Sequence, residues 1–105
     1  MMINDYVGEK MIDKSINLFP FLGIKELAWH YNDVFEILDK LNENGAIIYG
    51  GDVIKKTDVD KFSYTYDSWS YSGINPKDSY TIAVDYITTY CKKNGTNYYF
   101  ILVVK

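Results

Sequence analysis

The chain of 105 residues contains no arginine, one histidine, one cysteine and two prolines. Nucleic-acid binding needs lysine and arginine clustered on one face, so the missing arginine and the net charge of −3 argue against DNA or RNA as a partner. The single cysteine, Cys91, cannot form a disulfide within the chain and suits a reducing compartment. The sign of the charge fits a basic protein partner better than a nucleic acid.

Long apolar segments are also missing. The longest uninterrupted apolar run is residues 98–104, which is far too short to cross a membrane. The first residues lack the basic start and apolar run of a signal peptide. We therefore expect a cytoplasmic protein without membrane contact. The low proline content and the lack of low-complexity tracts predict one folded domain over residues 1–105.

Residues that carry catalytic or metal chemistry are scarce. A metal site or a histidine-based triad would have to combine His30 with carboxylates such as Asp33 or Asp52, and no spacing motif supports either. A ring beside the start of a helix is the favoured interpretation of His30. Cys91 falls on an apolar helix stripe, where it serves as a small hydrophobic side chain, with a reactive thiol as the alternative. We expect no catalytic residue, no metal and no cofactor.

Two further patterns invite a chemical interpretation. The segment Gly50-Gly51-Asp52 resembles part of a phosphate-binding loop, but the lysine and hydroxyl that such a loop requires are absent, so a strand bulge is favoured. Asp52 and Asp67 are expected on neighbouring strands, where paired carboxylates could hydrolyse glycosides. A chain of this size leaves little room for a sugar cleft, which makes that alternative weak.

The apolar pattern predicts an α+β fold. Helical spacing occurs at 5–18, at 33–44 and from Asn75-Pro76 to Gly95, and strand patterns occur at 46–54, 61–67 and 98–104. A right-handed crossover then gives a small antiparallel three-stranded sheet in the order 2-1-3, packed with about three helices. Residues 23–30 are expected to form an ordered turn. Asn32 is the predicted N-cap of the helix at 33–44, and Gly45 its predicted end.

In this topology the apolar strand 98–104 lies at an edge of the sheet. Exposed apolar edges pair with other chains. A homodimer through residues 98–104 is therefore a hypothesis that follows from the predicted strand order.

Residues 49–71 are the richest segment, with six aromatic residues and four aspartates but no histidine or cysteine. Aromatic anchors beside unpaired carboxylates are typical of protein-binding surfaces. Aromatic strand faces also pack beneath helices, and we favour that interpretation for the alternating Phe62, Tyr64 and Tyr66.

The other aromatic residues of this segment lie outside the regular alternation. Trp69 and Tyr71 follow the predicted strand in a serine-rich stretch, and serine with tyrosine is typical of adaptable binding loops. The predicted contact surface consists of Tyr49, Asp52, Asp58, Asp60, Asp67, Trp69 and Tyr71.

Three motifs carry a resemblance to a known family. They are LAWHYNDVFEILDKL at 27–41, IIYGGDVI at 47–54 and YTYDSWSY at 64–71, the last followed by a helix. In this order and spacing they resemble the Immunity protein 40 family of bacterial polymorphic toxin systems, over about residues 15–91.

The resemblance implies an intracellular antidote that binds and neutralises a cognate toxin. It implies no catalytic residues, because such a protein inhibits by occupying its target, and it does not identify the toxin's activity. A general protein-interaction or oligomeric structural module with another partner is the alternative.

Overall fold

The computed structural model describes residues 3–105, apart from the side chain of Asn4. The chain in this range begins with a 3-10 turn at Ile3–Asp5 and then forms four α-helices and five β-strands. The helices are α1 (Glu9–Asp13), α2 (Phe19–Leu22), α3 (Tyr31–Glu43) and α4 (Pro76–Asn94). The strands are β1 (Ile16–Asn17), β2 (Leu27–His30), β3 (Ile48–Asp58), β4 (Lys61–Ser70) and β5 (Tyr98–Val104).

The five strands form one antiparallel sheet in the order β1-β2-β5-β3-β4. The predicted three-stranded sheet is therefore wrong, although the fold is α+β. The two additional strands lie at 16–17 and 27–30, within segments predicted as a helix and a turn. Strands of two and four residues are too short for their alternation to be recognised, and the partner of β2 in the sheet centre, β5, is distant in the chain.

The position of β5 also differs from the prediction. β2 pairs with it through Trp29↔Phe100 and His30↔Tyr99, so β5 lies inside the sheet and not at its edge. The homodimer hypothesis required a free edge at 98–104, and that premise is wrong. The strand is apolar on both faces because each face is covered by other parts of the same chain.

Helix α3 has the predicted apolar stripe, with Val34, Ile37, Leu38 and Leu41 all buried. It begins two residues earlier than predicted, because His30 and not Asn32 is the N-cap. The His30 Nδ1 atom accepts a hydrogen bond from the Asn32 backbone N–H at 3.1 Å. Gly45 follows the helix with a φ of 74°, as predicted for its end.

Helix α4 begins as predicted, with Pro76 in the first turn and the Asn75 side chain accepting from the Asp78 N–H at 3.1 Å. A buried polar residue of this helix was not predicted. Ser79 is fully buried, and its hydroxyl accepts from the Ile48 N–H at 3.0 Å and donates to the Pro76 carbonyl at 2.7 Å. This hydroxyl fastens α4 to β3.

The two faces of the sheet are covered unequally. One face packs against α3 and α4 in the main core, which includes Trp29, Phe100 and Ile87. On the other face, residues 16–24 form a smaller core with Ile54 and Ile101. This second face, called the outer face below, is only partly covered.

Candidate functional site

The outer face contains a large irregularity in the β3–β4 hairpin. Asp52 is paired with Ser68 and Ile54 with Tyr64, so one residue of β3 lies opposite three residues of β4. This bulge comprises residues 65–67. The Thr65 side chain fixes it, because its Oγ1 donates to the Val53 carbonyl at 2.8 Å and accepts from the Asp67 N–H at 3.0 Å.

Tyr66, at the centre of the bulge, has a left-handed backbone with a φ of 64°. This conformation is unfavourable for a bulky residue by about 1–2 kcal/mol. Its side chain is 90% exposed and gains little from burial. The ring centroid lies 5.9 Å from that of Tyr64, which is itself 42% exposed. The chain thus holds two tyrosine rings at the surface in spite of the backbone cost.

These rings line a cleft of about 600 Å³ on the uncovered part of the outer face. The apolar and aromatic part of its lining comes from Ile24, Val53, Tyr64, Tyr66, Ile101 and Val103. Its charged part consists of three carboxylates and one ammonium group, from Glu26, Asp52, Asp67 and Lys25. We call this site the outer cleft.

The two aspartates of the outer cleft differ in their environment. Tyr90 on α4 donates its hydroxyl to Asp67 Oδ2 at 2.8 Å, which holds that carboxylate toward α4, where Asp67 also lines a smaller pocket with Tyr86 and Lys93. Burial, followed by this hydrogen bond, raises the pKa of Tyr90 to about 12. The Asp52 side chain is exposed, and its carboxylate makes no hydrogen bond or ion pair with any of the residues that the structure describes. It is therefore available to a partner.

Trp69 lies on the opposite face of the hairpin and was predicted to be a contact residue. Its side chain is only 9% exposed, and it stacks on Tyr86 of α4 with a centroid distance of 4.9 Å. Tyr86 in turn stacks on Tyr90. The Trp69 indole N–H is buried without a hydrogen-bond partner in the described part of the chain. Trp69 therefore supports the hairpin from the helix side.

The remaining predicted residues lie at the two ends of the hairpin. The Tyr71 backbone N–H donates to the Tyr49 carbonyl at 2.8 Å, and both side chains are half-buried. Asp58 and Asp60 flank the tip, where Asp60 has a φ of 58°. At about 3.3 Å per residue, the tip lies roughly 20 Å from Asp52 along the strand. Of the seven predicted residues, the structure brings only Asp52 and Asp67 to the outer cleft.

The prediction that Tyr64 and Tyr66 pack beneath a helix is wrong, since both rings are exposed. The predicted aromatic face is real, since Phe62 contacts Phe21 of α2 with a centroid distance of 4.8 Å. However, α2 covers only the part of that face near Phe62. Nothing in the local sequence shows where this cover ends.

The residues considered for chemistry have structural roles. His30 caps α3, and its ring contacts Tyr99 with a centroid distance of 5.1 Å. Cys91 is buried, which raises the pKa of its thiol to about 11. Within residues 3–105, no group of three or more histidine, cysteine, aspartate or glutamate side chains is placed to hold a metal ion. None of the helices in that range has the length and apolar character needed to cross a membrane.

The chain was compared with known families, curated proteins and solved structures. No significant match was found among curated proteins or solved structures. Residues 18–104 match the family described as Immunity protein 40, and this range includes the hairpin, the outer cleft and both long helices. The chain therefore belongs to the Immunity protein 40 family.

Proposed function

We propose that this chain neutralises a cognate bacterial polymorphic toxin by binding it and occluding its surface. Membership of the Immunity protein 40 family supports the immunity role. The observation that carries direct binding is the Tyr64–Tyr66 ring pair, held at the surface of the outer cleft beside unpaired Asp52. Exposed aromatic rings on a rigid strand, next to carboxylates, suit a tight protein–protein contact.

In this proposal the protein acts by occupancy and makes or breaks no bond. An antidote must bind its toxin at about nanomolar affinity or better, because free toxin damages the producing cell. Preorganised groups favour such affinity, since they lose little freedom on binding. The Thr65 hydrogen bonds and the Tyr90–Asp67 hydrogen bond provide this preorganisation. The proposed place of action is the cytoplasm, with a protein and not a nucleic acid as the partner.

The seven residues predicted from the sequence contribute unequally to the proposed surface. Asp52 and Asp67 belong to its centre. Trp69 contributes through the core, where it supports β4. Asp58 and Asp60 at the hairpin tip, together with Tyr49 and Tyr71 at the other end, are proposed as its periphery.

The test is protection of a host cell. A candidate toxin domain, chosen from the genes adjacent to that of this chain, is induced in a bacterium with and without the chain, and survival is measured. We expect survival only when the chain is present, together with co-purification of the two proteins. An unrelated toxin is the matched control and should kill in both cases. Killing by the neighbouring toxin despite good expression of the chain would overturn the proposal and favour an interaction module with another role.

A further inference from the structure

We propose that the outer cleft receives a lysine or arginine side chain from a basic segment of the cognate toxin, with Tyr66 and Asp52 as its main contacts. This inference rests on the proposed function and specifies the chemistry of the partner surface. It assigns the centre of the interface to the outer cleft and not to the hairpin tip or the helix side of the sheet.

The shape of the outer cleft fits a long cationic side chain. Its floor is apolar at Ile101 and Val103, and Val103 is 49% exposed. The methylene stem of lysine or arginine packs well on such a surface, while its charged end reaches the rim. The Tyr66 ring presents most of its surface to solvent and can receive the cation on its face.

The charge of the lining selects a cation over an anion. Glu26 and Asp52 outnumber Lys25 even without Asp67, whose carboxylate is bonded to Tyr90 of α4, and the whole chain carries a net charge of −3 without any arginine. An arginine or lysine on the toxin is therefore the complementary group, and it pairs with a carboxylate by a charge-assisted hydrogen bond. A second copy of this acidic chain fits the cleft less well, because two acidic rims would face each other.

Thr65 does not line the outer cleft, but its side chain fixes the bulge that presents Tyr66. The Thr65 hydroxyl joins the Val53 carbonyl to the Asp67 N–H and so fixes the backbone on both sides of Tyr66. Without this hydroxyl the bulge can relax toward a regular strand, and the Tyr66 ring would lose its fixed position. Thr65 is thus a positioning residue for the outer cleft.

The experiment measures association and dissociation of purified chain and the neighbouring toxin domain at several salt concentrations. Tyr66→Asn is expected to weaken binding by about 10- to 100-fold, mainly through faster dissociation. Asp52→Asn is expected to slow association about fivefold at low salt and to reduce its salt dependence. Lys25→Gln removes the only cation of the lining and should speed association about twofold.

Three further variants separate positioning from general damage. Thr65→Val should weaken binding about tenfold, whereas Thr65→Ser, which keeps the hydroxyl, should retain nearly all of it. Ile74→Asn and Asp85→Asn alter an exposed apolar residue and an exposed carboxylate outside the cleft lining, and both should stay within about twofold of the unmodified chain.

The outcomes distinguish this inference from the proposed function. If the unmodified chain does not bind the toxin domain, the proposed function is wrong and the inference fails with it. If the unmodified chain binds and protects but Tyr66→Asn and Asp52→Asn bind equally well, the function stands and the outer cleft is not the docking site. Sedimentation that shows a dimer dissociated by Tyr66→Asn, with unchanged toxin affinity, would equally overturn the inference by making a second copy the occupant.

Discussion

Gly51 on β3 lies directly against the indole ring of Trp69 on β4, with no space for a side chain between them. A methyl group at Gly51 would overlap the Trp69 ring and the carbonyl oxygen of Ile101. The ring has little freedom because it is stacked on Tyr86, and the carbonyl belongs to the backbone of the central strand β5. Gly51 thus leaves space for the Trp69 ring to lie flat between β3 and α4. A side chain at this position would disturb both β4 and β5.

Gly51→Ala should destabilise the fold by about 3 kcal/mol, since overpacking forces the backbone to move. Urea unfolding followed by circular dichroism measures this change. Gly8→Ala is the control, because a methyl group there has no heavy atom within 4 Å; Gly8 is the N-cap of α1, so the loss should be limited to about 1 kcal/mol from poorer capping. Equal stability of the two variants would contradict the packing described for Trp69.

The two tryptophans are expected to differ in their tolerance of phenylalanine. The Trp29 indole N–H donates to the Met11 carbonyl at 2.8 Å, whereas the Trp69 N–H has no partner within residues 3–105. Trp29→Phe therefore removes a hydrogen bond as well as volume, and it should cost about 1 kcal/mol more than Trp69→Phe in urea unfolding. Trp29 is also more deeply buried than Trp69, so its replacement should lose more packing, which adds to the larger loss of stability.

A larger loss at Trp69 than at Trp29 would show that the Trp69 N–H is satisfied in solution. Trp69→Ala is not a suitable binding probe, because removing the whole buried ring should cost about 3–5 kcal/mol and disturb the hairpin.

Much of the fold follows from local patterns in the sequence. The apolar stripe of α3 and the Asn75-Pro76 start of α4 are contained within a few turns of helix, so each can be recognised without knowledge of the rest. β1 and β2 are different. Trp29 pairs with Phe100, 71 positions along the chain, and no local periodicity reports such a contact. β2 could not be predicted because it is held by a distant partner, and β1 could not because its two residues pair only with β2.

In the candidate site, the alternation of β4 continues further along the chain than the predicted strand 61–67. Trp69 is an even number of residues from Ser63 and Thr65. Continued alternation therefore places its side chain on the same face of β4 as theirs, and on the other face from Phe62 and Tyr64. β4 extends to Ser70, and its bulge adds two residues, which leaves the parity of the alternation unchanged, so the burial of Trp69 was predictable. The exposure of Tyr66 was not, since it depends on where α2 ends on the outer face.

Tyr66 should be a residue whose replacement stabilises the folded protein. Asparagine accepts a left-handed backbone more readily than tyrosine, and the Tyr66 side chain buries little surface. Tyr66→Asn should therefore raise the free energy of unfolding by about 0.5–1 kcal/mol. Tyr64→Asn is the matched control, because it removes the same ring from a half-exposed strand position and should destabilise. Destabilisation by both replacements would show that the bulge carries no strain.

Stability should also fall at alkaline pH, beginning with the buried thiol of Cys91. Burial raises its pKa from 9.0 to about 11, so the folded protein keeps the proton while the unfolded chain loses it. The stabilisation from this group is complete below pH 9 and is lost as the pH rises through 11. The raised pKa of Tyr90, from 10.0 to about 12, extends the loss to higher pH. Urea unfolding at pH 8, 9, 10 and 11 should therefore show a steady decline above pH 9. Cys91→Ala lowers stability at every pH through lost packing, but it should flatten the decline between pH 9 and 10, and an unchanged slope would contradict the assignment to Cys91.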